Sequence, residues 1–289
     1  MSEKPRAVID RPYSLLSALC LLSIFAAVPF LAQDVPPNMA LVPAGEFWMG
    51  RTHFFLVDAI GWYERDRQDD TPSHKIAVDA FYMDKYEVTN EEYARFADAT
   101  KRAKPWHWAG GKIPQGQERY PIYNVTWFDA DAYCKSVGKR LPSEAEWEKA
   151  ARGGLDRAKF PWGETALGMG GYEAAEAGTA NKSGNQAHTN YPFGATTVGS
   201  LPPNAFGLFD MAGNVWEWTN DWYERSYYSV SPTKNPSGPP TGTYKVMRGG
   251  SWADDDERNL MNSFRNYTDP DQKASSIGFR CAKSVPATR

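Results

Sequence analysis

The sequence Asn-Ala-Phe-Gly-Leu-Phe-Asp-Met-Ala-Gly-Asn-Val-Trp-Glu-Trp occupies residues 204–218 and decides how the rest of the chain is interpreted. A plain core strand alternates apolar and polar residues, and it has no use for a Gly-Asn pair in its middle. Gly213 and Asn214 favour a tight bend, because glycine takes positive φ without a steric penalty. Such a bend can bring Asp210 and Glu217 toward one point.

The oxygen atoms around this bend are of the kind that bind calcium. The carboxylates of Asp210 and Glu217 would stand beside backbone carbonyl groups, and Ca2+ takes oxygen ligands of both kinds. The carbonyl groups in question belong to Met211, Gly213 and Val215. A loop tied by its own hydrogen bonds explains the same spacing, so the pattern alone leaves both interpretations open.

The same segment resembles the signature of the formylglycine-generating enzyme (sulfatase-modifying factor) family. Other blocks that resemble this family follow in the same order: Met-Ala-Leu-Val-Pro-Ala-Gly-Glu-Phe-Trp-Met-Gly at 39–50, Val-Asp-Ala-Phe-Tyr-Met-Asp-Lys-Tyr-Glu-Val-Thr-Asn at 78–90, Gly-Lys-Arg-Leu-Pro-Ser-Glu-Ala-Glu-Trp-Glu at 138–148, Arg-Gly-Gly-Ser-Trp at 248–252 and Gly-Phe-Arg-Cys at 278–281. The resemblance implies an α+β fold related to C-type lectins, rich in loops, with short strands and about three helices.

Capping chemistry predicts where three helices begin. Thr89, Thr126 and Ser143 each precede an acid by three residues, so that the hydroxyl accepts a free amide while the acid reaches back. Gly138 and Gly153 fit the positions where the last two helices end. The residues expected to face the core are Tyr93, Phe96 and Ala97 in the first helix, Ala130, Tyr133, Cys134 and Val137 in the second, and Trp147, Ala150 and Ala151 in the third.

The N-terminal segment indicates export. Three basic residues precede a nearly uncharged apolar run at residues 13–32, which is the arrangement of a signal peptide or of an uncleaved signal anchor. The run is long enough to span a bilayer. We expect a bacterial protein anchored in the inner membrane, with residues 1–33 as a cytoplasmic N-terminus and signal segment. Residues 34–289 would form a single domain on the periplasmic or extracellular side.

The charge balance and the cysteines limit the partners and the compartment. The net charge is −3 and no basic stripe occurs in the sequence, so nucleic acid is not expected as a partner. Cys134 and Cys281 are the only cysteines of the part expected to be exported, and an oxidising compartment permits them to pair. The family resemblance implies a disulfide at these two positions, and two buried free thiols are the alternative.

The resemblance implies a copper chemistry for which this sequence lacks the ligands. The family holds Cu(I) on two cysteines shortly after its Gly-Gly-Ser motif, and a soft ion such as Cu(I) requires sulfur ligands. In this sequence the two positions are Asp254 and Asn259, although Ser251 of the motif remains. We therefore expect neither copper nor formylglycine-generating activity.

We predict structural calcium at two sites. The first is the site at the bend described above. The second would use Asn181, the carbonyl group of Lys182, and Asn190, which stands where the family has aspartate. A neutral ligand lowers the charge count of this second site and hence its affinity.

Two classes of function follow from the resemblance. One is a binding or scaffold module with a protein partner in an envelope complex. Its recognition face would combine short polar and aromatic residues, a mixture that suits adaptable binding: Ser251, Trp252, Asp254, Asp255, Asn259, Asn262 and Tyr267. The other class is a sulfatase-maturation factor or another metal-dependent oxidoreductase of the same family.

Overall fold

The computed structural model describes residues 35–53, 69–164, 194–200, 202–254 and 256–286. Its contacts place Val35–Arg289 in one compact unit and Met1–Asp34 in a second unit, which falls outside the described residues. Within the described ranges, no helix is long and apolar enough to cross a bilayer. The apolar run at residues 13–32 lies outside those ranges, so its predicted role as an anchor stays a prediction.

Short strands in the described residues form three sheets. The strands are β1 Met39–Val42, β2 Gly45–Met49, β3 His74–Val78, β4 Phe81–Asp84, β5 Trp216–Trp222, β6 Lys245–Arg248, β7 Asn266–Thr268, β8 Ile277–Gly278 and β9 Ala282–Ser284. One sheet has the order β1-β4-β9, β2 pairs with β3, and the third sheet has the order β7-β6-β5-β8. In the third sheet β5 and β8 run parallel, whereas β5 with β6 and β6 with β7 are antiparallel.

Three α-helices occur in the described part of the chain: α1 Asn90–Thr100, α2 Trp127–Ser136 and α3 Glu144–Arg152. Each begins with the predicted capping box, formed by Thr89, Thr126 or Ser143 with an acid three residues later. Helix α3 ends at Gly153, whose φ of 58° is left-handed, as the sequence predicted. The mixture of these helices with short strands confirms the predicted α+β fold class.

One residue that the sequence predicted to face the core lies on the surface. Val137 follows the last residue of α2 and caps that helix. Its side chain is 45% exposed, so the prediction that it faces the core is wrong. The helical spacing that placed it there ends one residue earlier, at Ser136. The other predicted core residues of the three helices are buried.

The core contains two main clusters of buried side chains. The first packs α1 and α2 against Trp216, Trp218 and Phe279, and the second packs α3 against the sheets formed by β1–β4 and β9. A disulfide joins Cys134 of α2 to Cys281, just before β9, and both cysteines are fully buried. The two cysteines stand 147 residues apart, so the bond restricts most of the domain in its unfolded state.

Loss of this disulfide should destabilise the domain strongly. In the chain-entropy account, a closed loop of this length contributes about 5 kcal/mol, as an upper figure. We expect the double variant Cys134→Ser with Cys281→Ser to lose roughly 3–5 kcal/mol of unfolding free energy, measured by urea denaturation. Cys20→Ser is the matched control and should leave stability unchanged. Free thiols at both positions, found by peptide mapping without reductant, would contradict the bond.

Candidate functional site

The Gly-Asn bend ties two of the sequence motifs together. Gly213 and Asn214 both have positive φ, 94° and 64°, as the predicted tight bend requires. The amide of Gly213 donates to the carbonyl oxygen of Gly249, and the amide of Trp252 donates to that of Asn214. The bend at residues 213–214 therefore fixes the position of the Gly-Gly-Ser-Trp segment that follows β6.

Glu217 forms a buried ion pair with Arg280. Its two carboxylate oxygens accept hydrogen bonds from Nε and Nη2 of Arg280, at 2.7 and 2.6 Å, and from Nε1 of Trp147, at 2.9 Å. Arg280 also donates to the carbonyl oxygens of Phe209, at 2.8 Å, and Lys85, at 3.1 Å. Burial lowers the pKa of Arg280, but the charge and hydrogen bonds of Glu217 and the charges of Glu87 and Asp210 together raise it above its ordinary value.

Two more buried acids surround this ion pair. Asp210 sits at the start of the bend with φ of 55°, and its carboxylate accepts the amide of Gly199. Glu87 is 1% exposed, and neither of its carboxylate oxygens has a hydrogen-bond partner among the described residues. Burial raises the pKa of Glu87 well above its ordinary value, and the charge of Asp210 raises it further.

The charges of this cluster suit a divalent cation. Glu87, Asp210 and Glu217 would carry three negative charges when ionised, against one positive charge on Arg280. Buried charge without compensation is costly, so the cluster either keeps a proton or takes up a cation. Carboxylate and carbonyl oxygens are also the right donors for Ca2+. In the described ranges, however, no group of three or more His, Cys, Asp or Glu side chains is arranged around a single point as metal ligands are.

The second predicted calcium site lies in a part of the chain that the structure does not describe. Asn181, Lys182 and Asn190 all fall between residues 164 and 194. That site stays a prediction.

Helix α3 holds Arg248, the residue that precedes the Gly-Gly-Ser-Trp segment. Its residues Glu144 and Glu148 are one turn apart and both bind Arg248 at the end of β6, with distances of 3.2 and 2.6 Å. Burial raises the pKa of Glu144, but Arg265 and Arg248 together lower it below its ordinary value. Glu144 is therefore ionised at neutral pH, and both acids fix the position of Arg248, the residue that precedes Gly249.

Ser251, Asp254 and Asn259 form a closed hydrogen-bonded group after this motif. One oxygen of Asp254 accepts from the amide of Ser251, at 2.8 Å, and from its hydroxyl, at 2.6 Å. The other oxygen accepts from Nδ2 of Asn259, at 2.7 Å. Asp254 and Asn259, which the resemblance matches to the family's copper cysteines, are thus joined by a direct hydrogen bond.

The predicted recognition face is divided between two places. The indole nitrogen of Trp252 donates to the carbonyl oxygen of Ser275, just before β8, whereas Tyr267 lies in β7. Strands β7 and β8 form opposite edges of the four-stranded sheet. Because neighbouring strands are about 4.8 Å apart, the two edges are separated by roughly 14 Å. Trp252 and Tyr267 therefore do not belong to one compact patch.

Two further members of that face are not on the surface. Ser251 and Asn262 are each 1% exposed, so their placement on an exposed face is wrong. The amide nitrogen of the Asn262 side chain donates to the carbonyl oxygen of Ala158, at 3.0 Å, and this bond draws it inward. Asp255 falls outside the described residues. Trp252, Asp254 and Asn259 are partly exposed and make up what remains near Ser251.

Sequence reasoning missed Glu87 and the role of Arg280. Glu87 lies in a quoted family block, but nothing in its neighbours showed that it meets Asp210, which is more than a hundred residues away. The one available signal was an acid flanked by Tyr86 and Val88, where a solvated side chain is not expected. Arg280 lies in the Gly-Phe-Arg-Cys block, and nothing in that block indicates its partner Glu217.

Comparison with known proteins gives consistent results. Residues 25–285 match the family described as Sulfatase-modifying factor enzyme 1-like domain. The chain is 33% identical to the formylglycine-generating enzyme of Bos taurus over 308 residues, which cover 91% of this chain and 79% of the bovine protein. It is 31% identical to the protein named inactive C-alpha-formylglycine-generating enzyme 2 of Mus musculus, over 88% of this chain and 87% of the mouse protein.

A solved structure agrees with the fold. Treponema denticola variable protein 1 superposes with a TM-score of 0.65 and 24% sequence identity, covering 86% of this chain and 95% of that protein. At this identity the similarity establishes the shared architecture alone.

Proposed function

The chain belongs to the sulfatase-modifying factor enzyme 1-like domain family, and we propose that it is a binding or scaffold member without formylglycine-generating activity. The observation that carries this proposal is the group formed by Ser251, Asp254 and Asn259. Asp254 and Asn259 stand where the family resemblance puts the copper cysteines, and the Asp254 carboxylate accepts hydrogen bonds from both Ser251 and Asn259.

The chemistry of this group argues against copper-dependent oxidation. Cu(I) prefers soft thiolate ligands, and the donors here are a carboxylate, an amide and a hydroxyl. Both oxygens of Asp254 are already engaged by Ser251 and Asn259. The existence of a relative named as inactive, at 31% identity, is consistent with loss of catalysis in this family.

We assign the domain to the outer side of a membrane. The apolar run at residues 13–32 with basic residues before it supports a membrane tether. The buried Cys134–Cys281 disulfide supports an oxidising compartment, because such bonds persist in the periplasm and outside the cell. A tethered domain of this kind fits a subunit of an envelope complex with a protein partner.

We assign structural calcium to the buried acidic cluster. Asp210 and Glu217, with the carbonyl groups of Met211, Gly213 and Val215, would hold the ion. Glu87 would supply a third negative charge close to it. The ion's role is structural: it compensates buried carboxylates and stabilises the bend that fixes the Gly-Gly-Ser-Trp segment.

A formylglycine assay tests the proposed loss of catalysis. The full chain, incubated with Cu(I), oxygen, a thiol reductant and a Cys-x-Pro-x-Arg peptide, should produce no formylglycine above a control without protein. The double variant Asp254→Cys with Asn259→Cys should gain one tightly bound Cu(I), because the loop already places these side chains in contact. Chelator competition measures this copper, and each single variant is the matched control.

Conversion of the peptide by the wild-type chain would overturn the proposal and reveal a different catalytic mechanism. If the double variant binds copper no better than the single variants, the loop does not hold positions 254 and 259 in the arrangement that the family uses for copper. The proposed loss of formylglycine-generating activity would not be affected by that result.

Replacement of Glu87 by glutamine should have opposite effects with and without calcium. Without calcium, Glu87→Gln should raise the unfolding midpoint at pH 7. The raised pKa means that the native state binds the proton more tightly than the unfolded state, so stability falls as pH rises above the ordinary glutamate value. The neutral amide removes this loss. With calcium, the same variant should show a smaller stabilisation than wild type, because one compensating charge is gone.

Thermal unfolding with EDTA and with added calcium, followed at pH 5 and pH 7, measures both effects. Glu46→Gln is the matched control, since Glu46 is exposed on β2 and pairs with Lys75 at the surface. If calcium raises the unfolding midpoints of wild type and Glu87→Gln equally, Glu87 is not part of the site. If calcium does not raise the unfolding midpoint of wild type, the calcium assignment itself is wrong.

A further inference from the structure

Three tyrosines form an exposed aromatic column at the β7 edge of the four-stranded sheet. The rings of Tyr267 and Tyr223 are stacked, with centroids 3.7 Å apart and planes 18° apart. The ring of Tyr244 leans against Tyr267 at 5.4 Å and 43°. Tyr267 is 38% exposed and Tyr244 is 42% exposed, so a considerable aromatic surface faces solvent here.

The inner end of the column is already occupied by a cation. The guanidinium of Arg265 lies 5.0 Å from the centroid of the Tyr223 ring. In the same sheet, Nζ of Lys245 lies 4.0 Å from the Trp127 ring and 3.8 Å from the Trp222 ring. This sheet therefore binds cations on aromatic faces at two places inside the protein. Tyr267 and Tyr244 present aromatic surface of the same kind to solvent, where a cation from another molecule can reach it.

Exposed acids lie close in the chain to these rings. Asp269 directly follows β7, two residues after Tyr267; it is exposed, and its Oδ1 accepts the amide of Asp271 at 2.8 Å. Glu224 follows Tyr223 and is exposed, and its Oε1 accepts the amide and the hydroxyl of Ser226 at 3.2 Å. Aromatic faces bordered by carboxylates attract a positively charged group through the ring quadrupole and through ordinary charge attraction.

The edge of β7 does not offer its backbone for pairing at Tyr267. The amide of Tyr267 donates to Oδ1 of Asn266, at 2.8 Å, so the donor that an added strand would use is already bound. An edge strand blocked in this way resists extension of the sheet by another chain. A partner must therefore be recognised through the side chains of this edge.

We propose that Tyr244, Tyr267 and Asp269 form a docking surface for arginine and lysine side chains of a basic polypeptide segment. The surface is distinct from the group formed by Ser251, Asp254 and Asn259, because the latter lies toward the opposite edge of the sheet. It thus adds a ligand class that the proposed binding function does not specify. Rigid tyrosine rings provide contact area at low entropic cost, as they do in other recognition surfaces.

Titration of the full chain in mild detergent with an oligoarginine peptide tests this surface. Isothermal calorimetry at low salt should detect binding that weakens steeply with added salt. The double variant Tyr244→Ala with Tyr267→Ala should weaken binding about tenfold or more, whereas Tyr267→Phe, which keeps the ring, should bind almost normally. Asp269→Asn should weaken binding by a smaller factor without affecting the fold, since Asp269 is exposed.

Two controls separate this surface from the rest of the protein. Trp252→Ala should retain oligoarginine binding, so failure of the proposed function at the Asp254 loop and failure of this surface are distinguishable. An oligoglutamate peptide and a neutral oligosaccharide serve as alternative probes. The proposal is overturned if either of them binds as tightly as oligoarginine, or if Asp269→Asn and the alanine variants bind oligoarginine as wild type does.

Discussion

The buried ion pair between Arg280 and Glu217 is the interaction on which the rest of the structure depends. It joins β5 to the segment between β8 and β9, and Trp147 of α3 donates to the same carboxylate. Arg280 also reaches the carbonyl groups at residues 84, 85, 209 and 210. A buried charge is tolerated only when it is paired and fully hydrogen-bonded, so all these segments must assemble together for any of them to be stable.

The buried ion pairs that hold the fold together do not involve the side chains of the loop that follows Ser251. The ion pairs of Arg280 with Glu217, and of Arg248 with Glu148, hold the bend and the Gly-Gly-Ser segment without using any side chain of the loop at residues 252–259. The loop that follows Ser251 can therefore change its side chains while the fold persists. Fold alone does not imply activity, and this loop carries Asp254 and Asn259, the two positions that the resemblance matches to the family's copper cysteines.

The sequence predicted local features well and long-range ones poorly, for a physical reason. A capping box such as Thr89 with Glu92 acts over three residues, so its chemistry is readable from adjacent letters. The meeting of Glu87 with Asp210 and the partner of Glu217 depend on how distant strands pack, which local patterns do not encode. The same limit explains why the predicted recognition face is divided between two places. Trp252 and Tyr267 are close in the sequence, but the sheet order β7-β6-β5-β8 carries them to opposite edges.

A double-mutant cycle on Arg280 and Glu217 tests the central claim most directly. The unfolding free energies of wild type, Glu217→Gln, Arg280→Gln and the double variant would be measured in urea. Each single variant should lose about 3–5 kcal/mol, because it leaves one buried partner uncompensated. The double variant should lose clearly less than the sum, with a coupling of at least about 2 kcal/mol. Losses that add to within about 0.5 kcal/mol would show that the pair does not hold the framework together.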